Sequence, residues 1–123
     1  MTIRIPLLCR PKKNSQEIVQ ANGKSFIVQS KRYQQFERDC GYFLNRFAKH
    51  INYPINLKCT FYVPDRRKRD TANLIEAIQD ILVKYGVIED DNYTIVAGLD
   101  GSRTIYEKGR EETIIEITEM EKK

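Results

Sequence analysis

The chain has 123 residues, of which 41% are hydrophobic and 31% are charged, so a disordered tail is excluded and a single domain (1–123) is expected. No apolar run approaches the roughly 20 residues that a membrane-spanning helix requires, and the N-terminus has no signal-peptide pattern. The three cysteines are odd in number and widely spaced, so they do not indicate a disulfide framework. We therefore expect a cytoplasmic protein with no membrane association.

Charge is distributed unevenly along the chain. Residues 1–69 contain fifteen Lys and Arg against four Asp and Glu, whereas residues 70–123 contain six against thirteen. A basic half favours a polyanionic partner, because Lys and Arg displace the counterions that condense on phosphates. An acidic half is unusual in a nucleic-acid binder unless some of its carboxylates hold cations. The contrast between a basic half and an acidic half is the first indication of function.

The N-terminal half is predicted to begin with two short strands and a helix. Residues 3–8 have the composition of a strand, and a turn at Gly23 leads into a second strand at residues 25–29. Apolar residues at three- and four-residue steps then predict an amphipathic helix from Ser30 to about residue 52. Ser30 can cap the start of this helix, and a proline shortly after its predicted end prevents its continuation.

The C-terminal half begins with the clearest strand, because residues 55–63 alternate between apolar and more polar side chains. A second helix is predicted from about Thr71 to Gly86, since Asp70 or Thr71 can cap its start and Gly86 can end it in the left-handed conformation. Further strands are predicted around residues 94–97, 103–107 and 113–118, with an Asp100-Gly101 turn between the first two. This order predicts an α+β fold with a single mixed sheet and two main helices packed on it.

A basic run precedes the second helix and an acidic pair follows it. The basic run consists of Arg66, Arg67, Lys68 and Arg69, and it leads directly into Asp70. The acidic pair is Asp90-Asp91. If the strand after this pair runs beside residues 61–64, the start of the helix and the acidic pair meet in space. That arrangement would gather Asp70, Asp91 and Asp80 beneath a rim of arginines.

Such a cluster of carboxylates favours a bound cation, because the like charges otherwise repel one another. Hard oxygen ligands suit Mg²⁺ or Mn²⁺, which activate water and stabilise the charge that develops on a phosphodiester. Arginines at the rim would position the phosphate backbone. On the helix itself, Asn73, Glu76 and Asp80 share one face at three- and four-residue steps. A basic rim around an acidic centre is expected of a metal-dependent nuclease.

Each part of this pattern also has a purely structural interpretation. Asp70 can serve only as an N-cap, worth about 1 kcal/mol, and Glu76 and Asp80 can form a solvated helix face. Residues 90–92 (Asp, Asp, Asn) are common turn formers, and the basic run can be a solvated strand end. None of these signals is specific alone, so the interpretation depends on their order.

The motifs run from the basic run through Asp70-Thr-Ala-Asn73-Leu and Asp80 to a loop that begins at Gly86 and ends in Asp90-Asp91. This order resembles the RusA-type Holliday junction resolvases of phages and prophages. Residues 11–15 (Pro, Lys, Lys, Asn, Ser) are also similar to the N-terminal segment of that family. The resemblance implies a bacterial or phage-encoded homodimeric α+β endonuclease that resolves four-way DNA junctions with Mg²⁺ or Mn²⁺.

The resemblance places the family's metal ligands on two motif aspartates and on the second aspartate of the acidic pair, and the matching positions here are Asp70 and Asp91. Ala72 stands where the family has its other motif aspartate, and Glu76 stands where some members have a lysine. Three explanations follow. Glu76 or Asp80 supplies the missing ligand, or the protein binds junctions and cuts poorly, or this branch never used that aspartate.

The candidate site residues fall into three groups. The catalytic candidates are Asp70, Asp80 and Asp91. The metal-binding candidates are Asp70, Glu76, Asp90 and Asp91. The DNA-binding candidates are Lys12, Lys13, Asn14, Arg66, Arg67, Lys68, Arg69 and Asn73.

Three functions compete for these residues. The first is a metal-dependent endonuclease that cuts junctions, and the second is a catalytically silent, structure-specific DNA-binding protein. The third is a dimerisation module whose charges only solubilise it. Segregated charge disfavours the third function, because a solubilising surface usually intersperses both signs.

Overall fold

The chain alternates strands and helices in the predicted order, with one strand more than expected. A computed structural model describes residues 1–12 and 16–120. In this range the elements are β1 (Thr2–Ile5), β2 (Gln16–Ala21), β3 (Lys24–Gln29), α1 (Lys31–Leu44), β4 (Ile55–Val63), α2 (Thr71–Lys84), β5 (Val96–Gly98), β6 (Arg103–Tyr106) and β7 (Glu112–Glu119). The predicted α+β class, with a mixed sheet and two main helices, is confirmed. The prediction of a single sheet was wrong, because β2 and β3 form a separate two-stranded sheet. Neither helix is long and apolar enough to cross a membrane, and no other helix in the described range is.

β4 is the central strand of the main sheet. On one side it pairs antiparallel with β7, which in turn pairs antiparallel with β1. On its other side β4 pairs in parallel with β5 at Ile55–Asn56 and then with β6 at residues 60–63. The predicted Asp100-Gly101 turn is present, but it does not close a hairpin, because β5 and β6 follow one another along the same edge of β4.

Side chains replace the missing main-chain hydrogen bonds at the break between β5 and β6. The Asn56 side chain donates to the carbonyl oxygen of Asp100 at 3.1 Å and accepts from its N–H at 2.9 Å. The Ser102 hydroxyl accepts from the N–H of Cys59 at 3.0 Å and donates to the carbonyl of Leu57 at 3.3 Å. Polar groups of β4 that face the break thus remain satisfied.

One face of the main sheet carries the hydrophobic core. Both α-helices contribute to this single cluster, which also includes the inward-facing residues of β1, β4 and β7. The opposite face carries cross-strand ion pairs between Arg4 and Glu112 (3.8 Å) and between Lys58 and Glu116 (3.5 Å). All three cysteines are buried and unbridged.

α1 begins as predicted but ends earlier. The Ser30 hydroxyl accepts from the N–H of Tyr33 at 3.2 Å, which confirms the N-cap. The helix stops at Leu44 rather than near residue 52 and is followed by one 3-10 turn. The chain then turns away at His50, whose φ is 50°, a left-handed value that a right-handed helix cannot include. Continuing the helix would remove residues 50 and 51 from their hydrogen bonds to the loop after α2.

Strand β2 is the element that the sequence analysis missed. It forms an antiparallel hairpin with β3, in which Ala21 and Lys24 are the last paired residues. The two residues between them, Asn22 and Gly23, have φ values of 53° and 74°. Such a two-residue loop suits the right-handed twist of a hairpin, and Asn-Gly is its preferred sequence.

Candidate functional site

The two ends of α2 carry different groups of candidate residues. The strand that follows the acidic pair is β5, and it lies beside the start of β4 rather than beside residues 61–64, where β6 runs instead. Asp90 and Asp91 therefore lie at the C-terminal end of α2, while Asp70 caps its N-terminal end. Asp70 and Asp80 are ten residues apart, which corresponds to about 15 Å along a helix. Within a single chain, the expected meeting of Asp70 with Asp80 and Asp91 does not occur.

At the C-terminal end of α2, four carboxylates and two ammonium groups surround an open cavity of about 430 Å³. We call it the acidic cavity. It is lined by Lys12, Glu37, Asp80, Val83, Lys84, Asp90 and Asp91. The two lysines pair with two of the carboxylates, Lys12 with Asp80 at 3.2 Å and Lys84 with Glu37. Within the described part of the chain, no salt bridge reaches Asp90 or Asp91.

The two aspartates of the acidic pair differ in their electrostatic environment. The pKa of Asp91 is raised, mainly by desolvation, then by its hydrogen bond with Asp90 and by the charge of Asp80. The pKa of Asp90 is lowered, because its carboxylate accepts from the Asp91 N–H at 2.7 Å and from the Asn92 amide at 3.0 Å. Asp90 thus stays ionised while Asp91 protonates more readily, and a cation beside Asp91 would relieve the repulsion.

The loop that carries the acidic pair is fixed by the segment before β4. The N–H groups of His50 and Ile51 donate to the carbonyls of Gly86 and Val87 at 2.9 and 3.1 Å, and the Glu89 N–H donates to Ile51 at 2.9 Å. Gly86 has a φ of 72°, as its predicted role as the helix terminator requires. The His50 ring lies directly against it, 2.7 Å from the position that a Cβ atom would occupy.

The N-terminal segment runs alongside α2 toward the acidic cavity. The Cys9 thiol lies 3.7 Å from the carbonyl of Leu74, and Lys12 reaches Asp80 six residues further along the helix. Lys12, a predicted DNA-binding residue, therefore neutralises a carboxylate of its own chain. Lys13 and Asn14, which were predicted with it, lie outside the described residues.

Three residues close to Asp80 or to the acidic cavity were not predicted as site residues. Glu37 on α1 and Lys84 on α2 line the acidic cavity. Tyr33 is only 1% exposed, and among the described residues its hydroxyl has no hydrogen-bond partner of good geometry. Burial and the nearby charges of Glu37 and Asp80 raise the pKa of Tyr33. No local sequence pattern predicts these residues, because α1 approaches the acidic pair only through the tertiary fold.

The basic run lies at the N-terminal end of α2. Arg66, Arg67 and Lys68 are exposed, whereas Arg69 is only partly exposed and pairs with Asp65 at 2.8 Å. This ion pair lowers the pKa of Asp65. Three of the four cations of the basic run are therefore presented to solvent, and the fourth stabilises the loop that carries them.

The remaining candidates on α2 lie on its polar face or at its first turn. The Asp70 carboxylate accepts from the Ala72 N–H at 3.0 Å, so the predicted N-cap is confirmed. Asn73 is partly exposed and Glu76 is exposed, between Asp70 and Asp80 along the helix. Neither contributes to the acidic cavity.

The acidic cavity suits a divalent ion that keeps most of its bound waters better than an ion held by protein ligands alone. Among the described residues, no three His, Cys, Asp or Glu side chains converge closely enough to hold a metal by themselves. Mg²⁺ is usually held by one or two carboxylates and keeps several waters. Asp80 and Asp91, whose charges interact, meet that smaller requirement.

Residues 9–118 match the family described as Endodeoxyribonuclease RusA. The chain belongs to the RusA family. It is 39% identical over 67 residues to a protein of Aquifex aeolicus (strain VF5) named Crossover junction endodeoxyribonuclease RusA. The aligned segment covers 54% of this chain and 51% of that protein. The chain thus spans about half the length of the curated relative that it matches. The resemblance to RusA-type proteins is confirmed, and the phage origin stays a prediction.

Proposed function

We propose that this RusA-family protein is a divalent-metal-dependent endodeoxyribonuclease that cuts four-way DNA junctions. The supporting observation is the pairing of an exposed basic run with a cavity of four carboxylates at the two ends of one helix. The basic run holds phosphates, and the carboxylates provide the hard oxygen ligands that a phosphodiester-cleaving site needs. The name of the Aquifex aeolicus relative agrees with this substrate.

The proposed cofactor is Mg²⁺, with Mn²⁺ as a substitute. Asp80 and Asp91 would hold it, and Asp90 would fix the position of Asp91 through the main-chain hydrogen bond between them. When bound, the ion supplies Lewis-acid stabilisation of the charge that develops on the phosphate. Exposed Arg66, Arg67 and Lys68 neutralise flanking phosphates, so they position the strand without reading its sequence.

We also propose that the active form is a homodimer. A two-fold axis that passes through α2, perpendicular to the helix, would align two copies of this helix antiparallel, because an element that lies on the axis of an isologous interface meets its own copy. The basic run and Asp70 of one protomer would then lie beside the acidic cavity of its partner, where their charges are complementary. This arrangement restores a basic rim around an acidic centre, and two related sites match two cuts in a four-way junction.

Cutting of a synthetic four-way junction in Mg²⁺ or Mn²⁺ tests the proposal. We expect paired incisions near the branch point, and no incision by the Asp91→Asn variant, which should still bind the junction. The matched control is Asp100→Asn, because Asp100 contacts Asn56 only through its main chain. Loss of junction binding by Asp91→Asn would instead assign Asp91 a structural role.

The competing function is a catalytically silent junction-binding protein. It is favoured by one observation, namely that the first turn of α2 contains no acidic residue, since Ala72 replaces the family's aspartate there. Protein that shifts junctions in both metals and never cuts them would establish this function in place of the nuclease.

A further inference from the structure

Two arginine–tyrosine stacks lie near the C-terminal ends of β4 and β6. In one, the Arg110 guanidinium carbon is 3.4 Å from the centre of the Tyr62 ring. In the other, the Arg66 guanidinium carbon is 5.0 Å from the centre of the Tyr106 ring. The two stacks have the same chemistry, but their neighbours differ.

The stack of Arg110 on Tyr62 is internally satisfied. Arg110 donates to Glu107 at 2.9 Å and to Glu112 at 2.5 Å, so two carboxylates neutralise its charge. Tyr62 lies within the central strand and is only partly exposed. This stack therefore stabilises the sheet and leaves no charge available for a ligand.

In the stack of Arg66 on Tyr106, by contrast, the arginine is not neutralised by any described residue and the tyrosine is exposed. No carboxylate within the described part of the chain pairs with Arg66, and its side chain is exposed. Tyr106 forms the last pair of the β4–β6 ladder, opposite Val63, and is 44% exposed. An aromatic ring and an unneutralised guanidinium are thus displayed together at the surface.

Further cations lie close to this pair along the chain. Arg67 and Lys68 follow Arg66 directly, and both are exposed. The loop after β6 is held against the end of β4 by hydrogen bonds from Glu107 and Gly109 to Val63 and Pro64. These bonds bring the exposed Lys108 to the same end of the sheet. Arg67, Lys68 and Lys108 therefore place positive charge beyond the C-terminal ends of β4 and β6, and positive charge attracts a phosphate backbone.

We infer that Tyr106 and Arg66 form a stacking site for an unpaired DNA base, an inference that rests on the proposed DNA-binding function. An exposed aromatic ring among backbone-binding cations is how proteins bind unstacked nucleotides. Bases inside a continuous duplex have no free face, whereas a branch point can expose one. The site thus takes a base splayed from the junction while the neighbouring cations hold its flanking phosphates.

The absence of tryptophan from the sequence gives a direct test. Tyr106→Trp introduces a single indole, whose fluorescence is titrated with a single-stranded oligonucleotide and with an abasic strand of equal length at the same salt. We expect strong quenching by the strand with bases and little by the abasic strand, although anisotropy reports binding of both. Equal quenching by the two strands would overturn the stacking site.

Affinity measurements on unlabelled variants provide a second, independent readout. Tyr106→Leu should weaken binding of the single strand and of the junction roughly 5- to 150-fold, the usual range for loss of one base–aromatic stack. Tyr106→Phe should bind like the wild type, and so should Tyr42→Leu, which removes an exposed tyrosine from α1. Wild-type affinity of Tyr106→Leu would refute this inference alone, while failure of the wild type to bind any DNA would refute the proposed function as well.

Discussion

The ammonium group of Lys12 lies 3.2 Å from a carboxylate oxygen of Asp80. Both side chains are partly exposed, and both line the acidic cavity. A divalent ion that enters the cavity and binds Asp80 must compete with this internal cation.

Removing the competitor should therefore tighten metal binding. Lys12→Met keeps most of the side-chain volume and removes the charge, so Mn²⁺ affinity measured by titration should rise by up to about fivefold, the equivalent of an exposed ion pair worth roughly 0.2–1 kcal/mol. Lys108→Met, at the other end of the molecule, is the control. A lower Mn²⁺ affinity would mean that Lys12 orients Asp80 for the metal instead of competing with it.

The basic run should dominate the salt dependence of DNA binding. Replacing Arg66, Arg67 and Lys68 with alanine should make the negative slope of log K against log [salt] shallower, by about 0.9 for each phosphate of duplex DNA that these side chains neutralise. Arg69→Ala should instead lower the melting temperature and leave the slope nearly unchanged, because Arg69 pairs with Asp65. If the triple variant keeps the wild-type slope, DNA binds elsewhere, most simply along Lys12 and α1.

Mixing two inactive variants should restore cutting if each site is shared between protomers. Asp70→Asn and Asp91→Asn should each be inactive alone. In a mixed dimer, one shared site receives both substitutions and the other receives neither, so nicking of one strand should reappear after subunit exchange. Co-refolded mixtures assayed on a junction provide the measurement. No recovery in a verified heterodimer would place both aspartates in one protomer's site.

Asp91 should destabilise the fold at neutral pH. Its pKa is raised in the folded state, so the ionised carboxylate costs stability above that pKa, and the cost disappears as the pH falls below the ordinary aspartate value of about 3.9. Asp91→Asn should therefore melt slightly higher than the wild type at pH 7 and converge with it in acid. Mn²⁺ should raise the melting temperature of the wild type more than that of the variant. A lower melting temperature for Asp91→Asn at pH 7 would contradict the assignment.

Alanine at Gly86 should cost more than alanine at Gly109. Both glycines have positive φ, 72° and 74°, so both substitutions carry a backbone penalty of roughly 1–2 kcal/mol. Only at position 86 does the new methyl group meet a side chain, the His50 ring, whereas position 109 is open. Urea unfolding should show the larger loss for Gly86→Ala and a partial recovery in the His50→Ala double variant. Equal losses at the two positions would mean that the ring moves aside without cost.

Local patterns correctly predicted the elements in which apolar residues repeat regularly. Strand β4 and helix α2 agree with prediction within about two residues, because alternation and a three- to four-residue apolar spacing are properties of the segment itself. The predicted end of α1 was wrong, since the true end depends on hydrogen bonds between residues 50–51 and a loop about 36 residues further along the chain. The hairpin of β2 and β3 could have been predicted from its Asn22-Gly23 turn.

The acidic cavity was predictable only in part. Asp80 and the acidic pair were expected to lie together, and they line one cavity. Asp70 was expected there too, but local sequence patterns do not reveal which part of β4 pairs with the strand after Asp91. That choice depends on side chains such as Asn56 and Ser102, which satisfy the break between β5 and β6. Glu37 reaches the cavity from α1 through helix packing, for which no local signal exists.

The break between β5 and β6 also limits how this sheet can grow. A long, uninterrupted edge offers a row of free N–H and C=O groups to which a strand of another molecule can add. Here the edge consists of one three-residue and one four-residue strand, and the Asn56 amide already occupies both main-chain groups of Asp100 between them. A foreign strand would meet no continuous ladder along this edge. The interrupted edge formed by β5 and β6 therefore disfavours fibril-like, edge-to-edge aggregation at this edge of the sheet.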